Sequence, residues 1–70
     1  MKIVKSNFRN MCYLWVKAIR EGQDYSNYKH VEMQIIKECP TFGLDPDDVF
    51  AELKEFADSS QMMEEIYWWI

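Results

Sequence analysis

The side chains able to carry chemistry are few: one histidine, His30, two cysteines, Cys12 and Cys39, and the acidic group Asp45, Asp47 and Asp48 around Pro46. His30 alone has an ordinary pKa near neutrality, which makes it the natural general acid or base. It has no partners at a motif spacing. GxSxG, HExxH, the phosphate-binding Walker loop and GxGxxG are all absent, and no cysteine–histidine pair comes with a third orienting group. As metal ligands, Cys12, His30 and Cys39 lack the short spacings of a zinc site, and both cysteines fall on apolar helix faces. Asp45-Pro46-Asp47-Asp48 has the charge of a calcium loop but neither its alternating ligands nor its glycine at position six. Helix capping accounts for these carboxylates. The chain is therefore expected to have no catalytic residue, no cofactor and no metal, and not to be an enzyme.

Charge offers more than reactivity. Lys2, Lys5, Arg9, Lys17 and Arg20 occupy the first twenty residues without an acid. Asp45, Asp47, Asp48, Glu52, Glu55, Asp58, Glu64 and Glu65 then face one base, Lys54. Opposed surface fields of this kind steer partners before contact. Asp48, Glu52 and Glu55, at spacings of four and three, form a row on one helix face. With about 1.5 Å of rise per residue, neighbouring carboxylates stand roughly 5–6 Å apart. Such a row is able to imitate nucleic-acid phosphates, whose rise is about 3.4 Å per nucleotide along one strand. The plainer reading is a solvated helix face. Arg9, Tyr13, Lys17 and Arg20 form a basic face on the first helix, suited to phosphates or to an acidic partner. At the other end, Tyr67, Trp68 and Trp69 are consecutive and cannot all point inward, so at least one faces solvent or a partner.

These residues must be positioned by helices. Phe8, Met11, Cys12, Leu14, Trp15, Val16, Ala18 and Ile19 fill one wide apolar arc, which predicts a first helix over residues 7–21. Ser6 or Asn7 would cap it and Gly22 would close it in the left-handed conformation. A second helix is predicted over 26–39, capped by Asp24 or Ser26. It carries Tyr28, Val31, Ile35, Ile36 and Cys39 inward, leaves Met33 at the margin, and is ended by Pro40. Leu44-Asp45-Pro46-Asp47-Asp48-Val49 is the clearest start signal. Asp45 is the cap, Pro46 the first helical residue, Asp47 and Asp48 favour the positive helix end, and Leu44 and Val49 are set for a hydrophobic staple. This third helix is predicted over 46–57, with Val49, Phe50, Leu53, Phe56 and Ala57 inside. Asp58-Ser59-Ser60 favours a break and a short fourth helix over 60–70. The alternative is one helix from Pro46 to Ile70 along the seam Val49, Leu53, Phe56, Ser60, Met63, Tyr67 and Ile70.

The expected architecture is thus an all-α bundle of three to four helices in a single domain over residues 1–70. A chain this short buries only about 60% of its unfolded surface. Its eleven aromatic residues exceed what such a core hides, so some are expected to meet a partner or a second copy. No apolar run approaches the roughly 18–20 residues of a membrane span. The opening residues also lack the apolar segment of a secretory signal. A cytoplasmic chain without membrane contact is expected, with free cysteines.

The function read from these features is a small non-catalytic protein–protein interaction module of adaptor or inhibitor type. Its contact residues would be Tyr67, Trp68, Trp69, Asp48, Glu52 and Glu55, its partner another protein, with a homodimer also expected. The alternative is an acidic DNA mimic that inhibits a nucleic-acid-binding protein. In size, acidity and aromatic content the chain resembles, in general type, accessory proteins of phages and mobile elements. A third reading, direct DNA binding through Arg9, Tyr13, Lys17 and Arg20, sits poorly with a net charge of −4.

Overall fold

The computed structural model describes residues 2–65. In order these form α1 (Lys2–Arg20), α2 (Tyr25–Glu38), a 3₁₀ turn at Cys39–Phe42, α3 (Pro46–Asp58) and a 3₁₀ turn at Met63–Glu65. The chain is an all-α bundle, with no strand among the described residues. Helix α1 is the central element and packs against both α2 and α3.

Helix α1 buries Phe8, Cys12, Trp15 and Val16, with Met11, Tyr13 and Ile19 packed around them. It begins at Lys2, so Asn7 lies inside the helix and is not its cap. No glycine or proline interrupts residues 2–7, and one interior asparagine costs well under about 1 kcal/mol. The C-terminus follows expectation. Gly22 adopts φ 68°, the Gln23 N–H donates to the Ala18 carbonyl (3.0 Å) and the Gly22 N–H to Ile19 (3.1 Å). This pair of bonds is the Schellman closure. Leu14, expected in the apolar arc, is 44% exposed, because only two neighbours cover the helix and its far flank stays open.

Asp24 precedes α2 with extended backbone, but its side chain makes no capping bond. Its carbonyl accepts from the Asn27 N–H (2.9 Å). Val31, Ile35 and Cys39, four residues apart, form the buried line. Ile36, expected beside them, is instead exposed: about 100° round the helix from Ile35, it points past α1. Pro40 does not end the helical path either. Cys39 keeps helical dihedrals (φ −51°, ψ −46°), and the chain tightens into the 3₁₀ turn with Pro40 in its first positions. That turn closes as α1 does, with Gly43 at φ 68°. Leu44 N–H donates to the Cys39 carbonyl (3.0 Å) and Gly43 N–H to Pro40 (3.1 Å).

Helix α3 starts as its signal predicts. The Asp45 carboxylate accepts from the Asp47 N–H (3.0 Å), Pro46 is the first residue, and Val49, Leu53 and Phe56 are buried. Leu44 remains exposed. The helix ends at Asp58. Ser59 turns extended (φ −87°, ψ 174°), its Oγ donates to the Phe56 carbonyl (2.8 Å) and accepts from the Gln61 N–H (3.2 Å). One helix from Pro46 to Ile70 is therefore ruled out, and the expected break is present. The fourth helix does not begin at Ser60: residues 60–62 are irregular and 63–65 form only the 3₁₀ turn. The remainder of that expected helix lies outside the described residues.

Candidate interaction surfaces

Asp48, Glu52 and Glu55 are all exposed on one side of α3, within an arc of about 60° set by helical geometry. Lys54, the one base of the helix, lies on a different side. Their helix is oriented by burial of Val49, Leu53 and Phe56 against α1, which turns the acidic row toward solvent. Among the described residues, none of the three carboxylates is joined to a base.

Arg9, Tyr13, Lys17 and Arg20 of α1 are not equally open to solvent. Arg20 reaches across to the end of α3, where its Nη2 donates to the Phe56 (2.8 Å) and Ser59 (3.2 Å) carbonyls and its Nε to Ala57 (3.2 Å). Its guanidinium carbon lies 5.2 Å from the centre of the Phe56 ring. Helix α3 has no base in its last turn, so Arg20 supplies the cation that orphan carbonyls there favour. Tyr13 is half-buried and packs against the core. Arg9 is half-buried, its Nε shielded from solvent without a hydrogen-bond partner. Lys17 is exposed and borders a groove of about 310 Å³ between α1 and α2, which also includes Leu14, Glu21 and His30 in its lining. The four residues of the expected basic face therefore have different surroundings: Arg20 turns to the end of α3, Lys17 opens onto the α1–α2 groove, and Arg9 and Tyr13 are half-buried.

Cys12 and Cys39 are both fully buried and free, whereas His30 is exposed on α2. The three candidate ligands therefore do not converge. Burial first, then the nearby Cys39 and Glu38, pushes the Cys12 thiol up to about 12. Burial also raises Cys39, helped by Asp45 and Glu38. A thiol held protonated is a poor nucleophile. Both cysteines act as small apolar core residues.

Two arrangements had no sequence signal. The Glu32 carboxylate accepts from Trp15 Nε1 (3.3 Å) through one oxygen and from the Tyr25 hydroxyl (2.7 Å) through the other. The aromatic rings continue this link. Tyr25 and Tyr28 meet edge-on at 5.5 Å, Tyr28 and Trp15 at 6.4 Å, and Trp15 and Phe50 are tilted at 5.2 Å. Such pairs add to the area they bury. The second is Arg20 on α3, whose acceptors are backbone atoms and so leave no trace in residue type.

Tyr67, Trp68 and Trp69 lie outside the described residues. No helix among the described residues is long and apolar enough to cross a membrane. No family model, curated protein or solved structure matches this chain.

Proposed function

We propose that this chain is a small non-catalytic protein–protein interaction module of adaptor or inhibitor type, acting in the cytoplasm. The observation that carries this reading is the exposed row of Asp48, Glu52 and Glu55, while Arg20, the α1 base that reaches α3, is engaged with carbonyls at the helix end. An unneutralised acidic row fits a basic protein surface, where charge complementarity accelerates association and selects the partner. Tyr67, Trp68 and Trp69 supply the aromatic part of the same contact, as anchors of the kind that dominate binding energy. Direct duplex binding is not part of the reading, because Arg9 and Tyr13 are half-buried and Arg20 is engaged at the end of α3.

The test is affinity capture from source cells followed by titration of the captured partner. Asp48→Asn with Glu52→Gln and Glu55→Gln is expected to weaken binding at least about tenfold and to flatten its salt dependence. Unchanged affinity would remove the acidic row from the function. Competition with duplex DNA decides what kind of partner it is. Displacement by duplex identifies a nucleic-acid-binding protein and hence DNA mimicry as the mode of inhibition, and persistence of the complex identifies an ordinary protein contact. Trp68→Ala is expected to weaken binding with little change in salt dependence.

A further inference from the structure

Helix α2 leaves a second face uncovered. Tyr25, Met33 and Ile36 are 49%, 58% and 44% exposed, and Lys29 and Lys37 are exposed among them. Helical geometry gathers these five within about 120° of arc over three turns, roughly 16–18 Å of helix. No free acid belongs to this face. The Glu32 carboxylate at its edge is occupied by Trp15 and Tyr25, and Glu38 is half-buried on the far side. A net-acidic chain thus carries one stripe that is apolar and basic.

We propose that this α2 face docks an acidic amphipathic helix of another protein, one presenting apolar side chains at helical spacing flanked by Asp or Glu. The apolar residues of such a helix would cover Met33, Ile36 and the Tyr25 ring, and its carboxylates would meet Lys29 and Lys37. This is the helix-on-surface mode of recognition. A second copy of this chain fits less well. Pairing α2 with α2 sets lysines against lysines, which costs energy. The acidic side of α3 in a second copy offers carboxylates without an apolar stripe, because its Val49, Leu53 and Phe56 are buried. An anionic bilayer gains only about 1 kcal/mol per lysine, too little from two. The face is distinct from the acidic row of α3, so the inference stands or falls apart from that reading. With both surfaces in use, the chain would bridge a basic and an acidic partner.

The test selects a library of helix-forming peptides on the immobilised full chain and maps the enriched peptides by amide chemical shifts. Enriched peptides are expected to be acidic and amphipathic, with shifts confined to Tyr25–Lys37. Lys29→Glu with Lys37→Glu should weaken them at least tenfold, and Lys-for-Glu versions of the peptides should bind that variant. Met33→Ser with Ile36→Ser should abolish binding with helical circular dichroism unchanged, since both residues are exposed. The proposal is overturned by no enrichment, by basic or neutral peptides, or by shifts on other helices. A dimer lost in Met33→Ser, or binding to phosphatidylserine vesicles lost in the same variant, assigns the face elsewhere and overturns it too.

Discussion

Arg20 lies over the ring of Phe56, and the same guanidinium takes up the Phe56 carbonyl at 2.8 Å. One side chain of α1 thereby packs on the core face of α3 and closes its C-terminus. A hydrogen bond from a charged group contributes about 1.5–3 kcal/mol when shielded, and an exposed cation–π contact about 0.5–1 kcal/mol. Because Arg20 is exposed, solvent screening reduces the sum.

Arg20→Ala is accordingly expected to destabilise the fold by about 1–2 kcal/mol, read from urea unfolding midpoints. Arg20→Lys should recover only part of this, since an ammonium cannot reproduce the planar fork that spans several carbonyls. Wild-type midpoints in both variants would mean that the contact contributes nothing to stability.

Glu32 accepts from two aromatic donors, and this has a spectroscopic consequence. The Tyr25 hydroxyl is raised from its ordinary value, first by its hydrogen bond to Glu32, then by partial burial, then by the charge of Glu32 and by Tyr28. A phenol that donates to a carboxylate must give up that bond to ionise, so its titration moves upward. Glu32→Gln keeps an acceptor but removes the charge. The Tyr25 transition, identified as the one missing in Tyr25→Phe, should move down toward about 10 in this variant. An ultraviolet difference titration that is the same for wild type and Glu32→Gln would show that Glu32 does not govern Tyr25.

The buried thiols predict alkaline sensitivity, with a definite sign. Cys12 titrates at about 12 in the folded chain and near about 8.5 once unfolded. Over that interval the folded state holds more protons, so stability falls as pH rises. The contribution is complete below the unfolded value and is lost through the folded one. Urea midpoints measured from pH 8 to 11 should fall more steeply for the wild type than for Cys12→Ala. Equal slopes would contradict a protonated core thiol. Near pH 8 a thiol reagent should label neither cysteine until denaturant is added.

What the sequence made legible follows the range of each interaction. The start of α3 was readable because Asp45, Pro46 and Asp47 act within three residues of one another, and the break at Ser59 because its hydroxyl bonds within one turn. The buried lines Phe8–Cys12–Trp15–Val16 and Val31–Ile35–Cys39 follow from helical periodicity. Leu14 and Ile36 were misplaced because periodicity gives the direction of a side chain and not the number of neighbours waiting there. Among the surface residues, Asp48, Glu52 and Glu55 form a row that belongs to a single helix and could be read from spacing alone. The engagement of Arg20 was not legible because its acceptors lie thirty-six to thirty-nine residues away. Those acceptors are carbonyls, which every residue carries. The amphipathic face of α2 emerged only once the burial of Val31 and Ile35 was known.

Both chain reversals, at Gly22 and Gly43, demand positive φ, yet a side chain at either position would have no atom within 4 Å of its Cβ. The requirement is one of chirality and not of volume. An L-alanine is strained there although its Cβ would meet nothing, whereas a D-residue favours the same torsion. At these two bends the handedness of the residue, not the room around it, is what the fold selects: D-alanine by synthesis should be accepted where L-alanine is strained.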